Sequence, residues 1–133
     1  MRPASLWLPA LSLALVPLAL PTSGPRPVAA KAVVVKMIDV SATAFKYDPA
    51  TVTVSPGDTL RFTQTGKTPH NVDFKATPAG VDLGPAKMGP FLTSPEQTYD
   101  LVLDARFPAG VYQFSCTPHE MLGMKGSFTV QAK

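Results

Sequence analysis

From residue 31 onward, apolar and polar positions mostly alternate with a period of two, the signature of strands with one buried face. Ala32–Val40 is β-branched and apolar, and Thr51-Val52-Thr53-Val54 alternates. Ser55-Pro56-Gly57-Asp58 then supplies a turn into Thr59–Thr65, where Leu60 and Phe62 share one face and Thr59, Arg61 and Thr63 the other. Gln97–Asp104 sets Tyr99, Leu101 and Leu103 against Asp100, Val102 and Asp104. After Phe107-Pro108-Ala109-Gly110, the stretch Val111–Cys116 puts Tyr112, Phe114 and Cys116 on a common face, and Lys125–Gln131 alternates around Phe128 and Val130. No stretch sustains a helical period. Lys75–Pro95 is broken by Pro78, Gly80, Gly84, Pro85, Gly89, Pro90 and Pro95, which predicts a long loop holding at most a short helical turn. About seven to eight short strands with turn signals between them predict an all-β, two-sheet sandwich or Greek-key barrel.

Residues 1–30 follow another rule. Leu6–Leu20 is an apolar run of 15 residues interrupted by Pro9 and Pro17, and the Pro-rich stretch behind it ends in Val28-Ala29-Ala30. This is the pattern of a secretory signal peptide cut after Ala30, leaving 31–133 as a single domain. A transmembrane anchor needs roughly 20 apolar residues, more than this run supplies. The 133 residues exclude a multidomain enzyme. With Arg2 and Arg26 set aside, residues 31–133 hold ten bases and nine acids, so the basic character of the whole chain is no argument for nucleic acid. The pairs Lys67/Asp73 and Arg106/Asp104 read as solvated surface charges, and Met37 and Met88 as packing.

Cys116 is the only cysteine, so the exported chain has no internal disulfide. A free thiol in an oxidising compartment is either an inert core residue or bonded to something. Cys116-Thr117-Pro118-His119-Glu120-Met121-Leu122-Gly123-Met124 gathers a thiolate, an imidazole and thioethers within nine residues, and Pro118 forces the turn that can bring Cys116, His119 and Met124 together. The other histidine, His70, precedes Val72-Asp73-Phe74. Structural zinc wants four strong donors, and this chain has three. Two imidazoles, one thiolate and a weak thioether are the donor set of a blue-copper electron-transfer site.

The run from Gly110 through Cys116, His119 and Met124 to Val130 resembles the ligand loop and last strand of the plastocyanin-type cupredoxins. Pro69-His70-Asn71-Val72-Asp73-Phe74 is similar to the segment bearing that family's first histidine, and Val52–Asp58 to the turn before it. The likeness runs from about Val52 to Val130, with weaker support from Ala32–Tyr47, and the Cys-x-x-His-x-x-x-x-Met spacing is shared with pseudoazurin-like proteins. The resemblance implies a cupredoxin fold and one copper ion, with His70, Cys116 and His119 as equatorial ligands and Met124 as the axial one. Met121 competes for the axial place, since amicyanin-like relatives have shorter loops; the spacing from His119 and the glycines at 123 and 126 favour Met124. It further implies that Asn71 and Thr117 tie the two ligand-bearing segments together, that the Asn71 N–H donates to the thiolate, and that His119 is an electron port inside an apolar patch of Pro118, Leu122 and Pro69. Ser115 stands where photosynthetic members carry an aromatic residue, and the chain has no acidic cluster.

The expected protein is therefore a soluble, monomeric electron carrier of the periplasm or, in a photosynthetic host, the thylakoid lumen. Its partners are redox proteins such as cytochromes or membrane redox complexes. Two rivals share these residues. A papain-like thiol hydrolase would use Cys116, His119 or His70, and Asn71, but a cysteine and histidine three apart in one turn leave little room for substrate. A copper carrier or storage protein would need an open, exchangeable site.

Overall fold

The computed structural model describes residues 29–132, so the leader expected over 1–30 falls almost wholly outside the described residues. Eight strands follow in order: β1 (Ala32–Ser41), β2 (Ala44–Asp48), β3 (Thr51–Val54), β4 (Thr59–Gln64), β5 (Asp73–Ala76), β6 (Thr98–Val102), β7 (Gly110–Ser115) and β8 (Lys125–Val130). They form two four-stranded sheets, ordered β2-β1-β4-β6 and β3-β8-β7-β5. Both sheets are mixed, because β1 runs parallel to β4 and β3 parallel to β8 while the other pairs are antiparallel. Only β1–β2 and β7–β8 join neighbours within one sheet; every other connection crosses the sandwich.

The alternation predicts the inward faces. Val35 and Met37 of β1, Leu60 and Phe62 of β4 and Leu101 of β6 meet Val52, Val54, Phe74, Tyr112, Phe114, Phe128 and Val130 of the other sheet, all buried. Aromatic edges lock the layers, Phe62 and Tyr47 each meeting Phe114 edge-on at 5.3 and 4.8 Å, while within one sheet Tyr112 stacks on its cross-strand partner Phe128 at 4.8 Å. Burying side chains of this size contributes about 1.5–3 kcal/mol each.

Two strands depart from the predicted pattern. Phe45 and Tyr47 alternate with Lys46 and Asp48 to make β2, a strand too short to stand out by periodicity, paired with β1 in the register Met37 to Tyr47 and Asp39 to Phe45. Strand β5 takes Lys75 and Ala76 out of the expected loop by pairing with β7. The rest of that loop, up to residue 95, holds a single 3₁₀ turn, Gly84–Lys87, as anticipated, and the segment is pinned by isolated bridges from Asp73 to Met88 and from His70 to Leu92. Met37 packs in the core as read, but Met88 is half-exposed. Asp73 pairs with Lys75 at 2.6 Å and not with Lys67, because residues two apart on a strand share a face; Lys75 also reaches Glu120 at 2.9 Å. Arg106 and Asp104 form an exposed pair, as read.

The registers put Gln64, Ser115 and Lys125 at one end of the sandwich and Thr59, Gly110 and Val130 at the other. Among the described residues, no helix is long and apolar enough to cross a membrane.

Candidate metal centre

The inward parity of β7 carries through Tyr112 and Phe114 to Cys116, which is fully buried just beyond the strand. Pro118 lacks the N–H to extend the ladder and opens a 3₁₀ turn, Thr117–Leu122. Gly123 (φ 84°) takes the left-handed conformation that ends it, donating to Glu120 O at 3.0 Å. The loop closes on itself: His119 N–H donates to Cys116 O (3.0 Å), Met124 N–H to His119 O (3.1 Å), and Cys116 N–H to Met124 O (3.1 Å). Cys116, His119 and Met124 are therefore held by one small hydrogen-bonded ring, with β8 starting at the next residue.

His70 comes from a different part of the chain. It lies outside any strand, in an extended segment exchanging N–H···O bonds with Leu92 at 3.0 and 2.8 Å. Buried Gln64, at the end of β4, donates its side-chain amide to Thr68 O and to Leu92 O, gripping both segments around the histidine. Asn71 joins this half to the loop: its Nδ2 donates to Thr117 Oγ1 (3.0 Å) and its Oδ1 accepts from Thr117 N–H (2.8 Å), while its carbonyl accepts from the Tyr47 hydroxyl.

These supports bring three donor atoms to one point. His70 Nδ1 and His119 Nδ1 are 3.1 Å apart, and Cys116 Sγ lies 3.5 and 3.3 Å from them. Ligand atoms roughly 2.0–2.3 Å from one ion, at tetrahedral or trigonal angles, stand about 3.3–3.8 Å apart, so the cluster is close to the size that a single ion spans. The donor chemistry, soft sulfur beside two imidazoles, suits copper. Met124 is fully buried next to this group in sequence and bonded through its backbone to both Cys116 and His119, whereas Met121 is 96% exposed.

Burial pushes the Cys116 thiol up, with the nearby Asn71 and His119 backbone N–H groups opposing it. His119 is pushed below the ordinary imidazole value by burial and by neighbouring His70, with Asp39 opposing. His119 keeps 9% of its surface open, while His70 and Cys116 keep none. Phe45 stacks on the His119 ring at 3.9 Å between centroids and meets His70 edge-on at 5.5 Å. Asp39 Oδ1 accepts a hydrogen bond from His70 Nε2 at 2.7 Å. Burial raises the Asp39 pKa, yet the bonds from His70, Thr68 and Lys67 outweigh it and hold the carboxyl at about 2.

Three of these residues escape sequence reasoning: Asp39, Phe45 and Gln64. A signal was present for two of them. Asp39 continues the inward parity of Val35 and Met37, and Gln64 that of Leu60 and Phe62, so each is a polar group pointed at a core face.

The family model described as "Copper binding proteins, plastocyanin/azurin family" matches residues 34–131. Chloroplastic plastocyanin of Tetradesmus obliquus is 37% identical over 90 residues, 66% of this chain and 60% of the relative. Plastocyanin of Synechococcus sp. (strain JA-2-3B'a(2-13)) is 36% identical over 110 residues, 79% and 77% of the two chains. This chain thus spans about 60% of the length of the algal relatives it matches. Among solved structures, a reduced amicyanin mutant superposes with a TM-score of 0.59 at 36% identity, covering 79% of this chain and 87% of that one. The oxidised plastocyanin of Dryopteris crassirhizoma gives 0.59 at 31% identity, covering 74% of this chain and all of its own. With the sandwich, the three converging donors and these likenesses together, the chain belongs to the plastocyanin/azurin family of copper-binding proteins.

Proposed function

We propose that this protein is an electron carrier, not an enzyme, that passes single electrons between redox proteins, with His70, Cys116 and His119 as the residues that would hold its copper and Met124 as a weaker fourth donor. The observation that carries this reading is the convergence of two imidazole nitrogens and a cysteine sulfur, 3.1–3.5 Å apart, inside a buried and cross-bonded frame. Copper bound there supplies a Cu(I)/Cu(II) couple. The residues supply the rest: the loop ring and the Asn71–Thr117 tie keep the donors from rearranging when the charge changes, and the sandwich excludes water from Cys116 and His70. His119 alone keeps an edge open, beside exposed Pro118, Met121 and Leu122, and offers the electron its exit. Docking through that apolar rim suits a domain with no acidic cluster.

The same features speak against the rivals. A nucleophilic cysteine is accessible and has a depressed pKa, whereas Cys116 is fully buried and its thiol is pushed up. A carrier that hands over its metal needs ligands open to a recipient, and this set is closed. The pattern of residues 1–30 supports export of a soluble, monomeric domain of residues 31–133 to the periplasm or thylakoid lumen, with cytochromes or membrane redox complexes as partners.

An optical spectrum and redox titration of copper-loaded protein test the proposal. Intense visible thiolate-to-copper absorption is expected, bleached reversibly by one electron and lost in Cys116→Ser. A colourless protein whose thiol remains freely titratable after copper loading, or colour that survives in the serine variant, would overturn it. Slow loss of Cu(II) to a chelator is expected of a carrier of electrons; rapid loss would favour a carrier of copper.

A further inference from the structure

Asp39 lies outside the donor set, yet the structure is built around its carboxylate. β1 delivers it on the inward parity of Val35 and Met37, and its Oδ1 stands 2.7 Å from His70 Nε2. The other oxygen, Oδ2, accepts from the backbone N–H groups of Lys67 (3.0 Å) and Thr68 (3.1 Å), immediately before the His70 segment. Room for it depends on Gly66, where an added Cβ would fall 2.3 Å from the Asp39 carboxylate. Two amides and a side-chain-free Cα thus fix the direction in which the remaining oxygen points.

That direction has a chemical consequence. A neutral imidazole carries one N–H, and a carboxylate accepts but does not donate, so Asp39 assigns the proton of His70 to Nε2 and leaves the Nδ1 lone pair free. Nδ1 is the nitrogen that faces Cys116 Sγ and His119 Nδ1. A carboxylate on the far nitrogen also makes the ring a stronger donor, which favours the more highly charged state of an ion bound to it. His119 has a different environment: its ring lies on Phe45, and among the described residues no carboxylate bonds its Nε2.

We propose that Asp39 is a positioning residue acting through His70, which fixes the tautomer able to bind copper and biases the bound ion toward Cu(II). The proposal rests on the copper reading given above, and its test separates the two. In the metal-free wild-type protein, long-range ¹H–¹⁵N NMR should find His70 as the Nε2–H tautomer; an Nδ1–H tautomer would overturn the assignment whatever the protein does with copper. In copper-loaded Asp39→Asn, the ratio of Cu(II) to Cu(I) affinity should fall about tenfold, read as a rise in reduction potential of about 59 mV for a one-electron couple. An unchanged potential in a variant that keeps its visible band would overturn the electronic half. Should Asp39→Asn fail to fold, Gly66→Ala, which displaces the carboxylate without removing its charge, should raise the potential in the same direction, and an unshifted value there counts equally against it. A wild-type chain that binds no copper would refute the function while leaving the tautomer measurement to decide the role of Asp39.

Discussion

At the end of the sandwich remote from the histidines, Asp58 closes the turn between β3 and β4. Its Oδ2 accepts from Ser55 N–H at 2.8 Å and its Oδ1 from Lys31 N–H at 3.0 Å, so each oxygen is occupied by a backbone amide. At the metal end, Asp39 closes the turn before His70 with the same two-amide device, but gathers both amides on one oxygen and leaves the other for an imidazole. The two aspartates differ in how their oxygens are shared, and that is what separates a structural carboxylate from one that can act on a ligand. The surrounding chain differs too. The Asp58 end is made of short turns tied by local or cross-loop backbone bonds, such as Gly57 N–H to Leu103 O and Leu103 N–H to Asp58 O. The metal end is assembled from β1, β2, β4, the 66–72 segment, Leu92 and the loop after β7, and needs side chains to hold them in place.

The heaviest of those side-chain ties offers the sharpest way to break the contrast. Asn71 is fully buried and uses both ends of its amide on Thr117. Asn71→Ala removes both bonds and leaves a cavity, and should cost the metal-free protein about 3 kcal/mol in urea unfolding. A loss below about 1 kcal/mol would mean that the two ligand-bearing segments stay together without it.

Asp58→Ala should come next, at about 2 kcal/mol, with the visible band and potential of the copper-loaded protein unchanged. Its pH dependence gives a second reading. Burial raises the Asp58 pKa, but the bonds from the Ser55 and Lys31 amides and the Lys31 charge outweigh it, so the folded value lies below the ordinary one. A depressed folded pKa contributes stability in full above the unfolded value of about 3.9, and that stability is lost as pH falls through the folded value. The gap between wild type and Asp58→Ala should therefore narrow below about pH 4. A gap independent of pH would remove the carboxylate charge from the account of this end.

The contrast between the ends also explains what the sequence could disclose. Strands β1, β3, β4, β6, β7 and β8 were legible because each buries one face, and parity alone names Leu60, Phe62, Tyr112, Phe114 and Phe128 as core. The donors were legible by scarcity, since one cysteine and two histidines leave few combinations, and the Cys116–Met124 spacing is local. The supports were not, because they connect residues far apart: Asp39 meets His70 across 31 positions and Gln64 meets Leu92 across 28. Parity marks Asp39 and Gln64 as polar groups on a core face, but which backbone amide or ring they meet depends on how β1 and β4 lie against the loops. Phe45 reads as ordinary packing until β2 is paired with β1, which carries it over His119. The Asp73 ion pair is hidden for a related reason: Lys75 comes to share the Asp73 face, and takes its carboxylate, only once β5 is formed.

The smallest expected effect on stability falls at Leu122, and it tests the division of labour between the two histidines. Leu122 ends the 3₁₀ turn that carries His119 and is 49% exposed, so Leu122→Ser should change unfolding free energy by no more than about 0.5 kcal/mol. It touches none of the bonds that hold His70, and the reduction potential should stay at the wild-type value. What it removes is apolar surface from the rim around the one ligand with an open edge. If electrons leave through His119 and two molecules meet across that rim, self-exchange measured by NMR line broadening in mixed Cu(I)/Cu(II) samples should slow at constant potential. A slowed exchange with a shifted potential would mean that Leu122 shapes the centre itself. An exchange rate identical to wild type would mean that the apolar rim is not where partners meet, and would return the buried His70 side to consideration as the route.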